Sequence, residues 1–189
     1  MIANRIRRSI LPISEISESL PEVGLIYEIG SGIGVLAHAL ATESKGRQVV
    51  GIDSNQNKIQ LAKKSFSLEN LKFIRGDAKS YSYKPCAGIV MSDFLHHISH
   101  TEQLNILNKV TQRLKPRGIL VVKEIARDDG VFMWLSRLWD LALYPQDRIY
   151  YRTRNEWLAV FKNTGLEVRV RRATHWFPGS THLFTCQKA

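Results

Sequence analysis

Short, nearly unbroken apolar runs recur along the first two thirds of the chain, and between them apolar residues return every three to four positions. Residues 25–30 are apolar except for Tyr27 and Glu28 and read as a buried strand. Residues 33–42 follow with a helical period, and 47–53 (RQVVGID) form a second buried strand. Residues 55–68 carry Ile59, Leu61, Ala62, Phe66 and Leu68 as the apolar residues of a helix, with lysines over the rest. A third strand at 71–76 and a fourth at 87–92 (AGIVMS) precede an amphipathic helix over 101–114, which sets Leu104, Leu107, Val110, Thr111 and Leu114 on one face. The tetrapeptide Lys115-Pro116-Arg117-Gly118 reads as a break. Residues 119–125 (ILVVKEI) form a fifth strand.

The last third has a different texture. Residues 131–144 (VFMWLSRLWDLALY) are strongly apolar and helical in period, with Val131, Trp134, Leu135, Leu138 and Ala142 in one stripe. Residues 153–161 begin with T-R-N-E, a capping box with Thr153 as N-cap and Glu156 reaching back, and Gly165 closes that helix. Residues 166–173 (LEVRVRRA) alternate apolar and charged, as a half-buried strand does, and 181–187 supply a last strand. Pairing of these two as a hairpin adds an antiparallel edge.

Strands that alternate with helices, and are apolar along their length, make a parallel sheet covered on both faces. With right-handed crossovers this predicts a doubly wound α/β fold, seven-stranded and mostly parallel, with an antiparallel C-terminal edge and helices on both faces. Neither a linker nor a repeat divides the chain, so 1–189 reads as one domain. Residues 1–22 lead in as a helical segment interrupted by Pro12 and Pro21, and 127–165 form a helical insert after the fifth strand.

Composition narrows the class. The chain of 189 residues is 44% hydrophobic and 23% charged, which suits one globular core. No apolar stretch approaches the ~20 residues that span a bilayer, and the N-terminus lacks the apolar core of a secretory signal. Cys86 and Cys186 lie far apart and read as reduced thiols of a cytoplasmic protein. The formal charge is +10, and residues 148–189 hold eight Lys/Arg against Glu156 and Glu167. That asymmetry suits an anionic partner (RNA, a membrane surface, a phosphorylated or carboxylated substrate) or a solvated basic surface.

In such folds ligands sit beyond the C-terminal ends of the strands, and five clusters lie there: 28–34, Asp53, 76–78, 92–97 and 124–127. The first holds Gly30, Ser31, Gly32 and Gly34 at a strand–helix junction, where glycine lets a ligand approach the backbone. A dinucleotide loop wants G-x-G-x-x-G, but the spacing here is G-x-G-x-G with Val35 following. Glu28 also sits poorly beside a pyrophosphate and favours a cationic group such as an amino acid's ammonium. Asp53 suits ribose hydroxyls under either reading, and Asp77 suits an adenine amino group.

The ordered set E-I-G-S-G-I-G, G-I-D, G-D-A, S-D-F-L-H-H-I and L-K-P-R-G-I-L-V-V-K-E, spanning about 24–126, resembles the Rossmann-like (class I) S-adenosylmethionine-dependent methyltransferases of the small-molecule type. The resemblance implies S-adenosylmethionine as cofactor. It places Glu28 near the methionyl end, with Gly30, Ser31, Gly32 and Gly34 as the loop against the ligand. It places Asp53 and Ser54 at the ribose, Asp77 and Ala78 at the adenine, and Ser92 and Asp93 beside the sulfonium.

His96 and His97 are the candidates for a general base or for positioning an acceptor, and His100 lies further along. Neighbouring strand residues face opposite ways, so one of Lys123 and Glu124 faces the pocket, and Glu124 is the candidate on the acceptor side. His175 and His182, in or near the last two strands, read as surface residues, with closing the pocket as the alternative. Three histidines in five positions lack a matching second cluster, so no metal site is predicted. The apolar insert predicts a small, lipophilic acceptor, and the basic C-terminal region an anionic group on it, a carrier protein or a membrane surface. Two other readings stay open: an RNA methyltransferase using 148–172 on phosphates, and a cofactor-binding interaction protein without turnover.

Overall fold

The computed structural model of the protein describes residues 11–128, 133–134, 137–138, 148–173 and 181–189. Its elements are α1 (Ile13–Glu18), β1 (Gly24–Ile29), α2 (Val35–Glu43), β2 (Arg47–Asp53), α3 (Gln56–Ser65) and β3 (Leu71–Arg75). After them come β4 (Cys86–Ser92), a 3-10 turn (Leu95–His97), α4 (His100–Thr111), β5 (Leu114–Ile125), α5 (Arg154–Asn163), β6 (Leu166–Arg172) and β7 (Thr181–Lys188).

The seven strands form one sheet in the order β3-β2-β1-β4-β5-β7-β6. From β3 to β5 every pairing is parallel. β7 runs antiparallel to both β5 and β6, so it alone is reversed, and the last strand in sequence lies inside the sheet while β6 forms the edge. The mostly parallel sheet and the antiparallel C-terminal pair follow the pattern legible in the sequence.

Alternation within the strands divides the core in two. Ile29, Ile89, Met91, Leu120, Val122 and Phe184 face Ile106, Leu107 and Val110 of α4 and Trp157 and Phe161 of α5. Ile26, Val49, Val90, Val121 and Leu183 face α1, α2 and α3 through Ile16, Leu36, Leu40 and Ile59. The predicted capping box of Thr153 with Glu156 opens α5, and a second, of Ser99 with Glu102, opens α4. Burial pushes the thiols of Cys86 and Cys186 up to about 12, so both stay protonated. No described helix is long and apolar enough to cross a membrane.

Three boundaries differ from the sequence reading. The helix expected over 101–114 ends at Thr111, because Leu114 already pairs with Cys86 of β4. Residues 115–118 do not break the strand. The pairing jumps from Cys86↔Leu114 to Gly88↔Ile119, so they form a bulge, with Arg117 at φ 61°. The helix over 55–68 stops at Ser65, and Phe66 is extended. Residues 1–10 of the leading segment, most of 131–144 and His175 lie outside the described residues. Of the insert's predicted stripe, Trp134 and Leu138 are described and stand 59% and 62% exposed.

Candidate active site

The C-terminal ends of β1, β2 and β3 converge on one cavity of about 190 Å³. It is lined by Gly30, Asp53, Ser54, Asp77, Ala78 and Lys79, with Ile29, Ile52, Phe94, Ile98 and Ile106 as its apolar wall. That is small beside the roughly 300–1,000 Å³ of ordinary ligand clefts and suits one end of an extended ligand.

The glycine loop is drawn onto the end of β2. Gly30 and Ser31 both donate their N–H to the carbonyl of Ile52, at 2.8 and 2.9 Å. Asp53 holds the loop from the other side. One carboxylate oxygen accepts the Gly32 N–H at 2.8 Å and the other accepts the Asn55 N–H at 2.8 Å. Each oxygen keeps a further acceptor site at the cavity wall. At Gly30 (φ 77°) a Cβ would sit 2.6 Å from the Phe94 ring, so glycine there lets loop and cavity wall meet. At Gly34 (φ 83°) a Cβ would meet Phe73 at 2.5 Å; that glycine serves the packing of α2 and does not line the cavity. Asp77 accepts the Lys79 N–H at 2.9 Å, and Lys79 pairs with Glu102 of α4 at 2.9 Å, which fixes the loop after β3 against α4.

The cavity residues have the polar groups expected for a ribose and an adenine, and Glu28, expected at the amino-acid end, does not line the cavity. Asp53 and Ser54 share the cavity with Asp77 and Ala78, as the ribose and adenine roles require. Glu28 is buried in β1 on the opposite face of the sheet, beyond the glycine loop.

The profile of a methyltransferase domain family matches residues 1–170. The chain belongs to that family. It is a class I, S-adenosylmethionine-dependent methyltransferase by family and fold. Among curated relatives, a carboxy-S-adenosyl-L-methionine synthase of Pseudomonas savastanoi pv. phaseolicola is 25% identical over 115 residues, covering 56% of this chain and 47% of the relative. The chain thus spans about half the length of the curated relatives it matches.

Among solved structures, a chain of the complex containing the Haloferax volcanii Trm112 methyltransferase activator superposes with TM-score 0.80 at 16% identity. The match covers 97% of this chain and 91% of that one. Human N-acetylserotonin methyltransferase with bound S-adenosylmethionine gives TM-score 0.74 at 20% identity over 96% of this chain and 51% of that one. At these identities the structures share the fold.

Beside this cavity, the turn after β4 is gripped from both directions. Glu124 is wholly buried, and one of its oxygens accepts the N–H groups of Phe94 and Leu95 at 3.1 and 2.6 Å. Its other oxygen meets Nδ1 of His96 at 2.6 Å. Gln103, also wholly buried, donates its amide to the carbonyls of Leu95, Ile98 and Tyr150 and accepts from Arg152 at 2.7 Å. Tyr150 N–H closes on the His96 carbonyl at 2.7 Å, and Tyr151 stacks on the His96 ring at 5.6 Å. Burial of so much polar surface is tolerable only because these groups have partners.

Glu124, the acceptor-side candidate, is a carboxylate fixed on the backbone N–H groups of Phe94 and Leu95 and on His96. His96 is 1% exposed, and the His97 ring lies beside it, tilted by 44° with ring centres 4.3 Å apart. His182 is not the surface residue expected. It is buried directly opposite Glu124 in the β5–β7 register. Ser92 is half-buried, and Asp93 turns away from its strand at φ 50° to pair with Lys123.

Phe94 and Ile98 stand in the S-D-F-L-H-H-I motif but carry no role of their own in the sequence reading, and Gln103 and Ile106 are not singled out there. Gln103 is hidden in an amphipathic helix pattern, where a polar residue on the buried face was the available signal.

Proposed function

We propose that the chain transfers a methyl group from S-adenosylmethionine to a small, lipophilic acceptor by in-line displacement. The observation that carries this reading is one juxtaposition. A carboxylate-lined nucleoside cavity and a buried imidazole held by a carboxylate share the turn at 94–98, through Phe94 and Ile98 on one side and His96 on the other.

S-adenosylmethionine, when bound, supplies an electrophilic methyl group on its sulfonium. Gly30 and Gly32 keep the loop close, Asp53 takes hydroxyl donors, and Asp77 and Ala78 close the far end of the cavity. Glu124 accepts from Nδ1 of His96, so the basic nitrogen of the neutral ring is Nε2, which is buried and which an acceptor reaches only by entering this turn. A base placed in this way takes the acceptor's proton as the new bond forms and is worth ~10²–10⁴-fold. His97 is the second candidate to orient the acceptor. Positioning by the buried turn supplies the remainder, since a fixed near-attack geometry lowers a barrier by up to ~7–11 kcal/mol.

A lipophilic acceptor is favoured by Trp134 and Leu138, which stand exposed on the insert after β5. The human structural neighbour is by its name a methyltransferase of a small molecule, N-acetylserotonin. The basic residues of 148–189 suit an anionic group on the acceptor or its carrier.

Incubation with methyl-labelled S-adenosylmethionine and fractionated cell extract tests the reading. Label is expected in a small molecule of the organic phase. Label in RNA, or on the donor itself as a carboxylated product, would overturn it.

A further inference from the structure

Lys123 is a buried cation with a purpose that packing does not explain. Its side chain is 2% exposed and lies on the sheet face of Val121 and Leu183. Its ammonium donates to both oxygens of Asp93, at 2.7 Å each. The Asp93 N–H in turn donates to the Lys123 carbonyl at 3.0 Å, continuing the β4–β5 ladder by one residue. Asp93 adopts a left-handed backbone (φ 50°) to make this pair, an uncommon conformation for a residue with a side chain. A buried ion pair is weak support for stability, because a well-packed apolar pair of like volume does as well.

The pair has a lopsided environment. Lys123 is enclosed, while the Asp93 side chain is 34% exposed at the strand ends. The next residue, Phe94, lines the nucleoside cavity and touches the position of Gly30. Asp93 does not itself line that cavity; it stands one residue before Phe94, and its charge acts through space on a ligand that passes between Gly30 and the turn after β4. On the methyl-donor reading, from which this inference starts, the part of the ligand that passes there is the sulfur.

Transfer breaks the bond from sulfur to methyl and leaves the electron pair on sulfur. The acceptor gains the methyl and loses a proton, and a cationic sulfonium becomes a neutral thioether. A lone carboxylate here would hold the charged donor tightly before reaction, and binding the ground state in that way does not speed the chemistry.

We propose that Lys123 is the counterweight to Asp93, and that this pair sets how the site distinguishes the cationic methyl donor from its neutral product. Lys123 lowers the negative potential at the sulfur, so that donor and product bind comparably and the product is not followed by an over-stabilised donor complex.

Calorimetric titration with S-adenosylmethionine and S-adenosylhomocysteine tests this without any acceptor. The quantity read is the ratio Kd(homocysteine form)/Kd(methionine form), at low salt and a mildly alkaline pH. Lys123→Met removes the cation and should raise the ratio by about tenfold. Asp93→Asn leaves the cation and should lower it by a similar factor. The double variant should return near the wild-type ratio.

Ratios that stay fixed, or shift the same way in both variants, overturn the proposal, as does an equal weakening of both ligands. Asp93→Asn, isosteric and partly exposed, carries the test alone if Lys123→Met does not fold. A wild-type protein that binds neither nucleoside overturns the donor reading itself. Binding of both with unmoved ratios overturns only the role of the pair.

Discussion

Asp53→Ala should weaken binding of S-adenosylmethionine by about a hundredfold or more. Two losses combine. A carboxylate that accepts ribose hydroxyls contributes charge-assisted hydrogen bonds of ~1.5–3 kcal/mol each. The same carboxylate holds Gly32 N–H at 2.8 Å and Asn55 N–H at 2.8 Å, so its removal also frees the glycine loop and the start of α3. Asp53→Asn separates the two. One amide oxygen can still hold one of these N–H groups while the NH2 faces the other, so this variant should melt between wild type and Asp53→Ala while losing most of the affinity. Calorimetry and a thermal melt on both variants check this. Full affinity in Asp53→Ala would mean that the cavity at the ends of β1 to β3 is not where the nucleoside binds.

Glu124 governs the second large effect, and the two substitutions there should differ in kind. Glu124→Ala leaves the N–H groups of Phe94 and Leu95 and Nδ1 of His96 without an acceptor in a closed interior. Removing one partner from such a buried set costs about 3–5 kcal/mol, so the melting temperature should fall sharply. Glu124→Gln keeps one oxygen for the two backbone N–H groups and should fold. Its amide N–H then faces Nδ1 of His96, which must give up its proton, and the proton moves to Nε2. The base is lost while the fold and the donor site remain. Methyl transfer to the labelled small molecule should drop by ~10²–10⁴-fold with unchanged donor affinity. Transfer at the wild-type rate in Glu124→Gln would remove His96 from the role of base.

What was legible in the sequence follows from what is local. The five apolar runs of β1 to β5 name themselves by burial on both faces, and the ligand-side ends of β2, β3 and β5 carry the polar residues that line the cavity or grip its wall. G-x-G-x-G needs only its own spacing to exclude a pyrophosphate loop, and Asp53 and Asp77 each stand directly after a strand.

The hidden parts depend on register between distant segments. Lys123 and Asp93 are thirty residues apart, and their pairing follows from Ser92↔Lys123 across β4 and β5. That register itself is shifted by the bulge at 115–118, which the sequence presents as a break. His182 looks like a surface residue of an edge hairpin; it is buried because β7 inserts between β5 and β6, which brings it opposite Glu124. Alternation correctly separates Lys123 from Glu124. It does not say that each would find its partner in the same turn after β4.

The central claim is that the cavity at 30, 53 and 77 binds a nucleoside whose amino-acid end runs past the glycine loop. A crystal structure of the protein grown with S-adenosylhomocysteine tests it most directly. The account predicts ribose hydroxyls on the Asp53 carboxylate, the adenine beside Asp77 and Ala78, and the sulfur between Gly30 and the turn that begins at Asp93. A nucleoside bound elsewhere on the sheet, or one that leaves Asp53 holding only Gly32 and Asn55, would contradict it.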